Sequence, residues 1–264
     1  MATYKGPFDV KGSFHNLTFY RRRDIDKDIV RKQWGPSKEA IMTETRYALT
    51  RRYMAEFDGC SKGSKWIRRV LQPLDAVRDY NWAGTLTGLL KPVQQLDGEN
   101  ALGQRSLRLS LHPHLLEGFM LSKKTPLETL LRTPLEGSID KAALSAQVVV
   151  PELLPGGNFK PRVPYPYYRV VASLGVVPDL TYTPYGYTPD EALGQYAPQV
   201  AQTDWMGIRT ALPETVLSLS LPYTVDFPHF ALVLAVGISF GAPNVLGQIR
   251  PESYSGSGRI VAVV

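Results

Sequence analysis

One cysteine in 264 residues, Cys60, excludes any intrachain disulfide, so nothing covalent braces the fold. That economy suits a reducing compartment. Long apolar runs are scarce too. The longest, Phe230 to Phe240, covers 11 residues, well short of the roughly 20 that a membrane-spanning helix needs. Lys5, Asp9 and Lys11 interrupt any apolar stretch near the N-terminus, and no secretory leader is read there. Internal repeats and low-complexity tracts are absent as well. These absences predict a soluble, cytoplasmic protein with no membrane span, unless a route outside the Sec pathway exports it.

What is abundant points to turns. Twenty-one prolines and 22 glycines favour many short strands over long helices. A 44% apolar and 20% charged composition is that of a folded chain, long enough for one large domain or two modest ones with a sizeable core. The net charge of +6 is unevenly spread. Residues 1–150 hold 24 Lys and Arg against 16 Asp and Glu, whereas residues 151–264 hold 6 against 8. Between Arg21 and Arg69 there are 14 basic and 7 acidic residues. Such a region either attracts phosphate or an acidic protein surface, or keeps a helical face solvated.

Taken in order, the chain opens as a β-ribbon. Phe14, Leu17 and Phe19 set the strand pattern, a charged turn covers residues 21–28, and Ile29-Val30-Arg31 resumes it, predicting a hairpin with its tip at Arg23–Lys27. Gly35-Pro36 closes the ribbon and Ser37 is placed to cap a helix, with Glu39 in its first turn. Ile41, Thr45, Ala48, Leu49, Tyr53 and Phe57 share one broad helical face, and Asp58-Gly59 offers a stop. A second helix from Ser61 or Ser64 carries Trp66, Ile67, Val70, Leu71, Leu74 and Val77. Its stripe continues through Trp82, Leu86, Leu89, Leu90, Val93 and Leu96, with breaks expected at Pro73 and Pro92. The segments make an αα-hairpin joined at Gly59–Gly63. Strands are expected at 102–111, 143–151, 168–175, 211–221, 231–240 and 259–264. The fold class is therefore α+β, with an N-terminal β-ribbon and αα-hairpin followed by an antiparallel β-sandwich. Domains are expected at 1–138, basic and helical, and 139–264, the sandwich.

Several residue patterns touch on chemistry. Gly59-Cys60-Ser61-Lys62-Gly63 has the spacing of a nucleophile elbow, but a helix rather than a strand precedes it, so it reads as an interhelical turn. His112 and His114, two apart, would share one face of a strand, yet Pro113 between them marks a turn instead. Cys60 beside Lys62 and Lys65 reads as an incidental thiol. Asp24, Asp26 and Asp28 alternate like a calcium loop without its glycine and terminal glutamate. No catalytic residue, metal ligand or cofactor is assigned. Two surfaces remain. Tyr165, Tyr167, Tyr168, Tyr182, Tyr185 and Tyr187, set among prolines, are candidates for a protein interface. Arg46, Arg51, Arg52, Lys62, Lys65, Arg68 and Arg69, interleaved with Tyr47, Tyr53 and Trp66, are candidates for binding nucleic acid or an acidic partner.

The opening Lys11-Gly12-Ser13-Phe14-His15-Asn16-Leu17-Thr18-Phe19-Tyr20 resembles the start of a family of uncharacterised proteins common in Bacteroidota. Their N-termini run K-G-x-h-G-N-h-x-h-Y, followed by a basic turn and a basic helix. Gly35-Pro36-Ser37-Lys38-Glu39 and Arg51-Arg52 occupy the later places, and the Gly59-Cys60-Ser61-Lys62 and Gly241-Ala242-Pro243-Asn244 segments are similar too. His15 stands where the family has glycine, at a tight turn. The resemblance implies no activity. The expectation is thus a non-enzymatic structural or scaffolding subunit that self-associates or joins another protein in a filament, shell or surface layer. The alternative is a nucleic-acid-associated protein acting through Arg21–Arg69.

Overall fold

The computed structural model describes residues 2–4, 11–22, 27–32, 35–161, 163–189 and 195–264. The tip expected at Arg23–Lys27 lies, except for Lys27, outside the described residues, as do Asp24 and Asp26. By its contacts the chain divides into two compact units, Met1–Arg51 and Arg52–Val264, so the expected boundary at 138/139 falls inside the second.

The first unit holds a four-stranded antiparallel sheet of β1 (Ala2–Tyr4), β2 (Gly12–Phe14), β3 (Leu17–Arg22) and β4 (Lys27–Lys32), in the order β1-β4-β3-β2. Phe14 pairs with Leu17, so β2 and β3 turn through His15 and Asn16 alone. His15 takes the left-handed conformation, φ 51°, that glycine adopts without cost. Ser37 caps α1 (Lys38–Thr43), its hydroxyl accepting from the Ala40 amide at 3.1 Å. The helix stops at Glu44, whose backbone is extended. The Arg51 guanidinium closes that end by donating to the Ile41 and Glu44 carbonyls at 2.6 and 2.9 Å.

Helix α2 (Ala48–Leu71) corrects the expected hairpin. It runs unbroken through Gly59–Gly63, and the break falls at Gln72–Val77, a 3-10 turn containing Pro73, before α3 (Trp82–Gln95). Gly59 and Gly63 are not breakers. They lie one helical turn apart on the buried face and admit close neighbours, the Tyr187 ring at Gly59 and Leu90 and Leu107 at Gly63. Pro92 does not end α3 either. It forgoes the bond to the Gly88 carbonyl three residues before the helix ends, and buried Val93 and Gln94 hold that end in place. The helices run antiparallel, Ser64 bonding to the Ala83 carbonyl and Glu56 meeting Lys91.

The rest of the second unit is β-rich, after a short α4 (Leu127–Leu130). A three-stranded sheet runs β12-β6-β5, from β5 (Glu136–Asp140), β6 (Ser145–Val150) and β12 (Thr215–Ser220). A six-stranded sheet is built on β7 (Tyr167–Pro178) and β13 (Phe230–Pro243), paired over 12 positions. The strands β10 (Gln199–Gln202) and β11 (Met206–Gly207) join β7, whereas β14 (Ile249–Pro251) and β15 (Ser257–Val263) join β13. A separate hairpin consists of β8 (Thr181–Thr183) and β9 (Gly186–Thr188). Every pairing between these strands is antiparallel.

Two cores explain why β7 and β13 are apolar on both faces. One face presents Val170, Ala172, Leu174, Leu232, Leu234 and Val236 to the three-stranded sheet. The other presents Val171, Val177, Ala231, Val233 and Ala235 to α2 and α3. Small residues on that second face bring the helical layer close. A side chain at Gly175 would overlap Val70, and one at Gly237 would press on Leu74. The architecture is a two-sheet sandwich with a helical layer on one side, α+β as expected.

The segment at 102–111 is not a strand. Leu107 makes one bridge to Leu180, and Leu109–Leu111 is a 3-10 turn. Its apolar alternation is satisfied by burial of Leu107 and Leu109 alone, with Leu111 exposed.

Candidate interaction surfaces

The buried face of α2 carries polar groups, which is where chemistry would be sought. Glu56 is fully buried. One carboxylate oxygen pairs with the Lys91 ammonium, the other accepts the Gly103 amide at 3.0 Å, and the Arg105 guanidinium stands 3.8 Å away. Gln94 links this group to its surroundings. Its carbonyl accepts from the Cys60 thiol and Lys91 at 3.3 Å, and its amide donates to the Tyr187 hydroxyl at 2.8 Å and the Arg105 carbonyl at 3.1 Å. The Tyr187 hydroxyl in turn donates to the Arg105 carbonyl at 2.6 Å. The network ties α2, α3, the 103–105 loop and β9 into one piece, with the buried Arg105 Nε left without a hydrogen-bond partner. Burial pushes the Cys60 thiol up to about 11, so it stays protonated near neutral pH and is a poor nucleophile. Ser61 faces outward on an unbroken helix, without the strand-to-helix turn that an elbow requires.

Three further carboxylates act the same way on the irregular chain between α3 and α4. Asp97 accepts the amides of Glu99, Asn100 and Ser106. Asp179 accepts the Ser110 amide and hydroxyl. Asp79 accepts the amides of Lys123 and Lys124 and the Ser122 hydroxyl. Burial raises both the Asp79 and the Asp97 carboxyl, but these donors outweigh it and hold each below its ordinary value. With Glu56 on Gly103, four carboxylates fasten a segment that has little regular structure of its own.

The outward surface is different. Residues Asn244 to Gly247 connect β13 to β14. The Asn244 side chain accepts the amides of Leu246 and Gln248, both at 2.9 Å, and the Gly247 amide returns to the Asn244 carbonyl. This ordered tip holds Val245 and Leu246 in solvent at 102% and 77% relative exposure. On α2, Tyr53, Met54 and Phe57 are exposed on the outer face, and Leu49 is exposed nearer its start. That apolar stripe calls for a sheet or a partner to cover it. The buried face is instead the one carrying Glu56, Gly59, Cys60, Gly63 and Ile67.

The predicted tyrosines are scattered. Tyr168 lies in the sandwich core, its ring against Phe159 and its hydroxyl on the Thr210 carbonyl, and Tyr187 belongs to the buried network. Burial removes both from any surface. Tyr165, Tyr167 and Tyr182 are half-buried, and Tyr185, at the tip between β8 and β9, is fully exposed.

The predicted basic residues are largely engaged. Arg46 pairs with Glu44 at 2.5 Å and lies over the Tyr47 ring, and Arg51 closes α1. Lys62 meets Asp58 at 3.6 Å and the Tyr187 carbonyl at 3.3 Å, whereas Arg69 donates to Gln72. Arg52, Lys65 and Arg68 are exposed on α2. The His112 and His114 rings stand 6.3 Å apart, and among the described residues no cluster of three metal-binding side chains occurs. No helix of the described residues is long and apolar enough to cross a membrane. Hairpin tips gave a weak sequence signal in Pro243-Asn244, but the exposure of Val245 and Leu246 had none.

Comparison with protein families, curated proteins and solved structures found no match.

Proposed function

We propose that this chain is a non-enzymatic structural subunit that self-associates head to tail into a larger assembly. The observation that carries the reading is the ordered hairpin tip that presents Val245 and Leu246 to solvent. Two aliphatic side chains held out by a rigid turn gain nothing within the molecule, whereas burial in a second copy would stabilise each by about 1.5–3 kcal/mol. The tip lies beside the start of β7, since Gly241 pairs with Tyr167. The exposed Tyr53, Met54 and Phe57 lie toward the other end. Beyond Phe57 on the same helix, Gly59 packs on Tyr187 of the hairpin that follows β7, and Gly63 lies near Leu180, two residues past the β7 C-terminus. Twelve strand residues span about 40 Å. Two different apolar surfaces at opposite poles suit a heterologous contact, which propagates rather than closing as a two-fold dimer.

Light scattering coupled to size-exclusion chromatography tests this across a concentration series. Wild type should form species above the monomer. Val245→Asp/Leu246→Asp and Tyr53→Ser/Phe57→Ser should each abolish them. An equimolar mixture of the two variants, each keeping one working pole, should stop at a dimer. A wild type that stays monomeric at its highest soluble concentration refutes the reading.

Nucleic-acid association through the basic region is the second reading, supported by the exposed Arg52 and Arg68 on α2. It predicts binding whose log affinity falls steeply with log salt and is lost on reversal of these charges.

A further inference from the structure

We propose that a depression beside α4 binds a multiply charged oxyanion of the phosphate-ester or diphosphate class. The cavity holds about 450 Å³, within the range of small-molecule sites. Its lining includes three cations, Lys124, Arg132 and Lys160, one carboxylate, Glu128, and the apolar side chains of Leu130 and Val163.

The cations are delivered by fixed backbone. Arg132 and Lys160 flank the bridge between Leu131 and Phe159, the Arg132 amide donating to Asn158 at 2.9 Å and the Lys160 amide to Leu130 at 2.7 Å. Lys124 sits in the turn whose amides bind Asp79. The charges around them do not cancel. Among the described residues none of the three cations has a carboxylate within 4 Å. Glu128 is held by Arg259 at 3.0 Å, and Arg259 lines a smaller adjoining depression of about 100 Å³ that shares Glu128 and Arg132. Asp79, the other carboxylate near Lys124, already accepts hydrogen bonds from Ser122, Lys123 and Lys124.

Three like charges around one concavity raise its potential and repel one another until an anion answers them. A guanidinium fork with two ammonium groups suits a tetrahedral oxyanion with several charged oxygens better than a single carboxylate. The apolar side chains of Leu130 and Val163 leave room for an organic body on the phosphate. None of these residues belongs to the apolar poles, so failure here leaves the assembly reading intact.

The test is titration calorimetry of the full chain with sodium pyrophosphate at low ionic strength. The expected result is saturable binding near one equivalent. Lys160→Gln and Arg132→Gln should each weaken it about fivefold, the scale of one exposed charge contact. Arg108→Gln, at a guanidinium already paired with Glu99 and outside the cavity's lining, should leave it unchanged. Glu128→Gln removes the cavity's one negative charge and should tighten binding about twofold or more, a gain that a misfolded variant cannot produce. Absence of saturation, an equal loss from Arg108→Gln, weakening by Glu128→Gln, or equal affinity for citrate each overturns the assignment.

Discussion

Replacing Gly59 by alanine separates a helix packed on a fixed ring from a flexible joint between two helices. In an exposed helix this substitution stabilises by about 1 kcal/mol, because alanine loses less backbone freedom on folding. Here a Cβ at Gly59 would lie 2.6, 2.7 and 2.8 Å from three atoms of the Tyr187 ring. The ring cannot retreat cheaply. Its hydroxyl donates to the Arg105 carbonyl and accepts from Gln94, and Tyr182 packs edge-on at 5.5 Å. Overpacking of this kind costs about 1–3 kcal/mol, and loss of one hydrogen bond adds roughly 1 kcal/mol. Against the propensity gain, the net expectation is a loss of about 2 kcal/mol. Thermal melts should show this as a fall of about 4–8 °C for a unit of this size. Tyr187→Ala removes the obstacle, so adding Gly59→Ala to that background should be neutral or stabilising. If Gly59→Ala raises the melting temperature of the wild-type chain, the close contact, and with it the continuous packed helix, is refuted.

Other perturbations probe the carboxylates and the first unit. Lys91→Met leaves the buried Glu56 with the Gly103 amide and a distant Arg105, and should cost about 3–5 kcal/mol in urea unfolding. Glu56→Gln keeps the shape and the Gly103 bond, so a larger loss there than from Lys91→Met contradicts the network. Asp79 and Asp97 have folded values below their ordinary 3.8. Their contribution is present above about pH 4 and disappears as pH falls through the lower folded values. The Asp79→Asn/Asp97→Asn variant should therefore be less stable at pH 7 but lose less on acidification, measured as urea midpoints down to pH 2.5. His15→Gly relieves a left-handed non-glycine residue and should stabilise the β2–β3 hairpin by about 1 kcal/mol. Hydrogen exchange of the β2–β3 amides should slow about fivefold.

The strands were legible because their cause is local. Six-residue alternation at 145–150 gives one buried face on β6, and a largely apolar run at 231–240 marks a strand covered on both sides. Ser37 was legible as a cap for the same reason. Gly59 and Gly63 misled because glycine carries two opposite signals. It breaks a helix that has nothing to lean on, and it admits a neighbour where a helix is pressed against another element. Only the partners, Tyr187 and Leu107, decide between these, and they lie far along the chain. The stripe of Leu49, Tyr53 and Phe57 was legible as apolar, but what covers it was not. Periodicity reports that a face is apolar, not that the same chain covers it.

The anchoring carboxylates were invisible for a related reason. Asp79, Asp97, Asp179 and Glu56 look in the sequence like ordinary surface acids, since the amides they bind come from 2 to 69 positions away. In the fold all four draw on backbone donors or on Lys91, and each holds an irregular segment in one shape. An acid that must give up or take a proton in a reaction needs at least one oxygen open to a substrate. Acids bound to backbone amides in this way fix the segments that supply those amides. The same economy governs the hairpin tip, where the Asn244 side chain is used up in holding its own turn while Val245 and Leu246 are left outside. Polar groups are turned inward on the segments they hold, and apolar groups outward on fixed supports. The assembly proposed above would gain from this, because association with a preorganised surface costs less ordering entropy than association with a loose one.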